Sequence, residues 1–378
     1  SSIFFVPNVQ IKNKLRKCLL ISENVDENFI YKFDFLRPID YLKALFAPFI
    51  IKKIKFNNIV FRDAEISALF QSDFYKNISH SSSFVGLLNY FFFKRLREKN
   101  CKIELAVNWF ENQIIDRGFN KGLSTFFPNV KTVGYQGFIS SYEYEFQLQP
   151  TELEKEIGIV PKSIAVVGKG LIKDIKKYCG KLNVTTAPGY RMSSVYSIKT
   201  LPQSLDVIQK NILVVLSISQ KDNNDIINII TEFNQNYITE KINFIIKPHP
   251  SNDFNKVELS INNHLNNFVI TKEPPNKLFH NIDIVIGNTS SLCIEALIYG
   301  KPVIIIGSQS GITQNPIPES ISKEIWDLCY DVNEVEKAFQ RLTRNKKKIA
   351  ESDIPLKVRE NFIEKTSKRN VKLFLHLN

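Results

Sequence analysis

A chain of 378 residues has room for two domains of ordinary size, so a small single-core protein is excluded. With 43% hydrophobic and 23% charged residues it is globular, which excludes a disordered or fibrous chain. The formal net charge of +12 points to an anionic substrate, a polyanion or an anionic membrane surface, without choosing among them.

In chain order, residues 17–22 read as the first parallel strand, and 59–61 and 103–107 as later ones. Helix-length segments stand between them, including 84–99, which follows the Ser81-Ser82-Ser83 cap signal. Strands at 132–135 and 163–167 continue the alternation, and residues 184–191 close the first half. A connector at 192–209 leads to a second alternation. Its strands are 211–216, 242–246, 268–270, 282–286 and 302–306, with helices at 225–233 and 290–299. A helical tail over 332–374 is carried by Val335, Phe339 and Leu342. Strands alternating with helices predict mainly parallel sheets. The expected fold class is therefore α/β, with two Rossmann-like domains at 1–200 and 201–378 facing across a cleft. The C-terminal helices are expected to be able to pack back on the first domain.

The five cysteines (Cys18, Cys101, Cys179, Cys293 and Cys329) show no CxxC spacing and an odd total. Reduced thiols suit that better than a disulfide framework or a zinc site. No leader-like segment and no apolar run of about 18 residues is present, so a soluble protein that does not span a bilayer is expected.

The apolar run Ile242 to Ile246 passes straight into Lys247-Pro248-His249-Pro250. A proline on each side of His249 removes two backbone donors and fixes two φ angles, so the chain leaves the sheet there. An imidazole held at the carboxyl end of a strand, beside a lysine, stands where an open α/β sheet presents ligand groups. A proline-rich strand exit with a surface histidine is the alternative. Gly287-Asn288-Thr289-Ser290-Ser291 follows another strand and opens a helix, where hydroxyl caps and free N–H groups suit an anion. Glu295 lies one turn past Ser291 on the same face and could accept from a ribose, or be a surface charge. Gly300 is assigned the turn into the next strand. Gly168-Lys169-Gly170, after its strand, allows close backbone approach to a ligand and adds a cation. Arg191, ending the Ala187-Pro188-Gly189-Tyr190 turn, could pair bidentately with a carboxylate or form an interdomain salt bridge.

This series of motifs resembles glycosyltransferases of the GT-B fold. More narrowly, it is similar to bacterial surface-polysaccharide enzymes that use CMP-activated donors, the sialyltransferases and 3-deoxy-manno-octulosonic acid (Kdo) transferases. The resemblance covers about residues 185–306. It implies that His249-Pro250 and Ser290-Ser291 hold the CMP phosphate, with Lys247, Asn288, Thr289, Glu295, Arg191, Gly168 and Lys169 around the donor. His249 would also stabilise the leaving group. The donor implied is CMP carrying Kdo or a nonulosonic acid, and the acceptor a glycan or lipid-linked glycan of capsule, O-antigen or lipooligosaccharide. CDP-glycerol transferases share a similar series, and UDP-sugar transferases and UDP-sugar 2-epimerases of GT-B shape are further rivals. Because CMP leaves with one phosphate and no DxD motif stands at a strand end, no metal and no cofactor beyond the CMP-sugar substrate is expected. The place implied is the cytoplasm, with a peripheral seat on the inner face of the bacterial inner membrane allowed.

The same resemblance puts the acceptor and a catalytic carboxylate in the first half. The candidates are Glu111 and then Asp116, in the polar stretch 108–118, where Trp109 and Phe110 could desolvate a carboxylate and raise its basicity. Neither lies in the family's acidic-acidic-Gly motif. A helix cap for Glu111 and an Asp116–Arg117 surface pair are the alternatives. Asn112, Gln113, Tyr135 and Gln136 are candidates for the acceptor, with a core tyrosine as the plain reading of Tyr135. Residues 90–99 mix four aromatics with basic side chains, which fits an anionic bilayer or a core helix with a solvated basic end. No basic motif interleaved with aromatics falls on a predicted sheet face, so nucleic acid is not an expected partner. A non-catalytic binding role and both stereochemical outcomes stay open.

Overall fold

The computed structural model describes residues 4–5, 28–197, 210–236, 242–252, 267–309 and 311–376. The expected strand at 17–22 and the 198–209 part of the connector lie outside them. The chain divides into two compact units, residues 1–134 with 151–162, and residues 135–150 with 163–378.

In the first unit, β1 (Phe4–Phe5) pairs in parallel with β2 (Asn28–Phe29). Helix α1 (Pro38–Ile51) opens with proline at its first turn, where a missing N–H costs nothing. The Asp40 carboxylate accepts from the Arg37 N–H at 2.9 Å, capping the helix start. Strands β3 (Val60–Phe61) and β4 (Ala64–Glu65) form an antiparallel hairpin. The 59–61 segment is therefore a hairpin arm and not part of a parallel sheet. Its two turn residues, Arg62 and Asp63, take φ of 49° and 67°, the left-handed geometry that a two-residue hairpin loop requires.

Helix α2 (Ser67–Asn77) precedes α3 (Ser81–Glu98), which starts three residues earlier than expected and is capped by the His80 ring, not by a serine. Strand β5 (Leu105–Trp109), helix α4 (Ile114–Phe126), strand β6 (Lys131–Gln136) and the short α5 (Glu152–Glu156) follow. Helix α3 lies against α4, and Phe92, Phe93 and Leu96 share a core with Leu123, Phe127 and Val130. Residues 90–99 thus form a core helix with an exposed basic end, Arg97 and Lys99, and its buried phenylalanines do not face a bilayer. Its Arg95 is buried too, held by Asp40.

In the second unit, β7 (Ser163–Val166) and β8 (Asn183–Thr186) pair in parallel. A six-stranded sheet, counted among the described residues, holds β9 (Lys210–Val215), β10 (Ile242–Lys247), β11 (Phe268–Ile270), β12 (Ile284–Gly287), β13 (Val303–Ile306) and β14 (Trp326–Cys329). Its order is β11-β10-β9-β12-β13-β14, and every pair is parallel. Strand β14 has no counterpart among the sequence expectations. The chain builds outward from β9 to β11, then returns to the other side of β9 for β12. The order reverses between β9 and β12, the point at which open α/β sheets leave a crevice for ligands. The central strands β12 and β13 and the end of β9 are runs of Val, Ile and Leu buried on both faces, whereas the edge strand β11 exposes Val269.

The second unit's α-helices of more than one turn, among the described residues, are α6 (Gln220–Asn236), α7 (Leu292–Ile298), α8 (Val332–Arg344), α9 (Lys346–Glu351), α10 (Ile354–Phe362) and α11 (Lys368–Phe374). The architecture is α/β with Rossmann-type parallel sheets, as the alternation of elements predicts.

Candidate nucleotide site at the strand exits

The Lys247–Pro250 stretch leaves β10 and turns at once. Asn252 N donates to the His249 carbonyl at 2.9 Å, with Pro250 in the turn, where its fixed φ is favourable. Asn252 Nδ2 then donates to the Ser217 carbonyl at 2.8 Å, which ties the turn to the exit of β9. Ser217 is itself locked: its N–H donates to Asn223 Oδ1 at 2.8 Å, and Asn223 Nδ2 returns a bond to its carbonyl at 3.0 Å. These bonds place the histidine loop at the switch point. Ser217, Asn223 and Asn252 were not among the sequence candidates, although a Ser-x-Ser between an apolar strand and a polar helix start is a readable cap signal.

His249 Nδ1 accepts from Ser251 N–H at 3.1 Å. Burial, and then the nearby Arg191 charge, hold its pKa below the ordinary histidine value. The ring is therefore neutral at pH 7 with its proton on Nε2, which is the donor it offers a ligand. Lys247 is tied elsewhere. Its ammonium donates to the Glu273 carbonyl at 2.6 Å, beyond β11 and on the far side of β10 from the switch point, and burial lowers its pKa.

Beyond β12, Asn288 is 4% exposed, and neither its Nδ2 nor its Oδ1 has a hydrogen-bond partner among the described residues. Leaving a buried amide unsatisfied costs about 1–3 kcal/mol, so a native fold keeps one where a ligand or water will meet it. Asn288 and Thr289 line a recess with Asp222 and Asp225 of α6, Ser308 and Gln314. Carboxylates and amides together suit hydroxyl groups there better than phosphate.

The helix after this loop is shorter than expected, Leu292–Ile298 in place of 290–299. Ser291 stands at the cap position without a side-chain capping bond, and Ser290 Oγ accepts a long one from Leu292 N–H at 3.4 Å. The serine hydroxyls are thus only weakly spent on the helix. Gly287 is required for packing, because a Cβ there would come within 2.8 Å of Cys293 Sγ. Glu295, on α7, has its pKa pushed up to about 7 by burial, against the pull of Arg191.

Arg191 follows a turn held from three directions. Tyr135 Oη donates to the Pro188 carbonyl at 2.7 Å, Gly189 N–H to the Glu364 carbonyl at 2.9 Å, and Ala187 N–H to the Val166 carbonyl at 2.8 Å. The following turn, residues 190–197, packs on α7. The Arg191 charge is felt at both His249 and Glu295. The His249 imidazole and the Glu295 carboxyl thus each lie within electrostatic reach of the Arg191 guanidinium.

The remaining candidates are dispersed. Gly168 meets protein and not a ligand: a Cβ on it would lie 2.3 Å from the Phe362 carbonyl carbon, so the glycine admits the backbone at the end of α10. Lys169 beside it is exposed. Tyr135 acts on the Arg191 turn. Gln136 is fully buried, accepting from Tyr142 Oη at 2.6 Å and donating to the Leu148 carbonyl at 3.4 Å. Both are interior residues, so neither presents its polar end to an acceptor.

In the first unit, Asp116 Oδ2 accepts from the N–H groups of Glu111 at 2.9 Å and Gln113 at 3.1 Å, capping α4. Burial raises its pKa although those two donors pull it down. Arg117 pairs with Glu154 at 2.8 Å, so an Asp116–Arg117 pair is not formed. Glu111 accepts from Trp109 Nε1 and Gln113 Nε2, each at 2.6 Å. Asn112 is buried at φ 54° with Nδ2 3.4 Å from Glu154 Oε1. Among the described residues, no group of three or more His, Cys, Asp or Glu side chains is placed to hold a metal ion.

The fold is of the GT-B type. Among solved structures, the chain is similar to the Staphylococcus aureus MnaA–UDP co-structure (13% identity, TM-score 0.52, 96% of this chain and 92% of that one). It is similar to UDP-GlcNAc 2-epimerase of Methanocaldococcus jannaschii in complex with UDP-GlcNAc and UDP (13%, 0.52, 99% and 98%). The N-terminal domain of Candida albicans trehalose-6-phosphate phosphatase is a third such structure (13%, 0.52, 99% and 88%). At that identity the likeness concerns the fold. No protein-family model matches the chain, and neither does any curated protein sequence.

Proposed function

We propose that this chain is a glycosyltransferase that takes its sugar from a pyrimidine-nucleotide donor, with a UDP-sugar as the first reading. The observation that carries the proposal is the placing of His249, at the exit of β10, and Glu295, on α7 after β12, each within electrostatic reach of Arg191, with the buried, unsatisfied amide of Asn288 at the exit of β12 as a separate polar group. The neutral His249 Nε2–H donates to a phosphate oxygen, and Arg191 supplies the positive charge that stabilises the nucleotide as it leaves. Glu295 accepts from ribose hydroxyls. The fold likeness to proteins solved with UDP supports uridine. An epimerase on the same donor is its nearest rival.

A CMP-activated keto acid is the second reading, supported by Arg191. A guanidinium beside the phosphate grip is the group that a sugar carboxylate would need. In either reading Glu111 is the proposed base, with Asp116, the cap of α4, second.

Thermal-shift titration with UDP, CDP and CMP separates the readings. Stabilisation by UDP and not CMP supports the first, and CMP alone supports the second. No shift with any of them would sink both. His249→Ala is expected to lower turnover at least about tenfold, some 1.4 kcal/mol of transition-state stabilisation, in a protein with an unchanged melting point. Glu111→Gln should lower turnover and leave nucleotide affinity alone.

A further inference from the structure

Helix α1 is built inside out. Leu42, Leu45, Phe46, Phe49 and Ile50 are 48%, 57%, 53%, 68% and 71% exposed. Their spacing of three and four residues aligns them as one stripe along the helix. The residues turned inward include Asp40 and Ala44, both buried. Asp40 accepts from Arg95 Nε at 2.8 Å and Arg95 Nη2 at 2.6 Å, so a buried ion pair fastens α1 to α3. The apolar side is left facing water. A contiguous apolar stripe of this kind on a water-facing helix marks an interaction surface.

The charges on α1 after Asp40 and in the turn that follows it are basic, and the first acidic residues beyond them are Asp63 and Glu65 of the hairpin. From Tyr41 to Arg62 the chain carries Lys43, Lys52, Lys53, Lys55 and Arg62, all exposed, and no Asp or Glu. Three of these lysines follow α1 directly, with Ile54, itself 48% exposed, between them. The turn is anchored to α2: Phe56 N donates to Gln71 Oε1 at 3.0 Å, and the Phe56 ring meets Phe74 edge-on at 5.1 Å. The lysines are therefore presented from a fixed base.

We propose that α1 and the lysine turn after it form a docking surface for an anionic lipid bilayer. The apolar stripe enters the boundary between headgroups and acyl chains, and the lysines meet the headgroup phosphates. At 14 residues α1 is about 21 Å long. That is shorter than the roughly 30 Å hydrocarbon core, so the helix lies in the plane of the interface. No described helix is long and apolar enough to cross a membrane. A second copy of the chain is a poorer occupant, since a self-complementary contact would set one lysine turn against another.

Co-sedimentation of the full chain with phosphatidylglycerol-containing vesicles, and with pure phosphatidylcholine vesicles, tests the proposal. Binding to the anionic vesicles is expected to be at least about tenfold stronger and to fall in high salt. The triple variants Phe46→Gln/Phe49→Gln/Ile50→Gln and Lys52→Glu/Lys53→Glu/Lys55→Glu should each lose about tenfold or more, with unchanged melting points. If the first variant melts early, the lysine variant decides. Equal binding to both vesicle types would overturn the proposal, and so would binding to neither. A dimer seen by light scattering, dispersed by the same substitutions and indifferent to vesicles, would overturn it in favour of a second copy.

Discussion

Helices α8 and α1 carry the same kind of sequence pattern and put it to opposite uses. In α8, Val335, Phe339 and Leu342 are buried, and Phe339 meets Phe233 of α6 edge-on at 5.3 Å. Asp331 caps the start, accepting from Glu334 N–H at 2.8 Å, and charged residues cover the outside. In α1 the ion pair is inside and the phenylalanines are outside. Helical periodicity states that a helix has an apolar face. It does not state what that face meets.

The sharpest way to break the contrast is at Arg95. Arg95→Met leaves Asp40 buried without its partner and is expected to cost about 3–5 kcal/mol in denaturant unfolding. The double variant Arg95→Met/Asp40→Leu should recover much of that, because apolar groups of similar size need no counter-charge. A double variant as unstable as the single one would show that the pair has another role. Next comes Leu342→Ala in α8, expected to cost about 2–5 kcal/mol through a cavity at a fully buried site. Phe49→Ala in α1, the same kind of truncation on the outward face, should change stability by less than about 0.5 kcal/mol. Equal losses at the two positions would mean that the α1 stripe is covered in the folded protein.

A buried carboxyl, Asp40, and a half-buried one, Glu295, give the smallest effects, with opposite signs. Burial works to raise the Asp40 pKa, but hydrogen bonds from Arg95 and the Arg37 N–H outweigh it and the net value is lowered. Its stabilisation is complete above the unfolded value near ~3.9 and is lost as pH falls through the lower folded value. Glu295, raised to about 7, behaves in reverse. The folded state keeps a proton that the unfolded state releases near ~4.3, so stability declines as pH rises from there through 7. Glu295→Gln should therefore raise the melting point at pH 8 and leave it nearly unchanged at pH 4. An equal gain at both pH values would remove the burial argument for Glu295.

Much of the second unit was legible before any coordinates. The residues that leave β10 and β12 stand at the predicted strand ends, because apolar runs closed by proline or glycine are local signals. Glu295 stands on α7 one turn past Ser291, where helix spacing puts it. The hydrogen-bonded frame of Ser217, Asn223 and Asn252 was not, since it joins residues six to thirty-five positions apart. Lys247 shows the limit from the other side. The sequence put its cation beside the histidine, and its ammonium bonds to Glu273 across the neighbouring strand.

By itself the sequence determined the alternation of strands and helices, and with it the parallel sheets and the crevice at their carboxyl ends. It determined that His249 sits between two prolines and must leave the sheet, and that the tail helix α8 carries an apolar stripe. Only the tertiary structure decided what these features face. Asp116 became a cap because two N–H groups at the start of α4 lie within reach of it. Gly168 serves the backbone near Phe362, nearly two hundred residues away in sequence, and not a ligand. The stripe of α1 points to water because Asp40 found Arg95 on α3. Periodicity and chain stiffness act over a few residues. Burial depends on which surfaces meet, and that is settled only when the whole chain has folded.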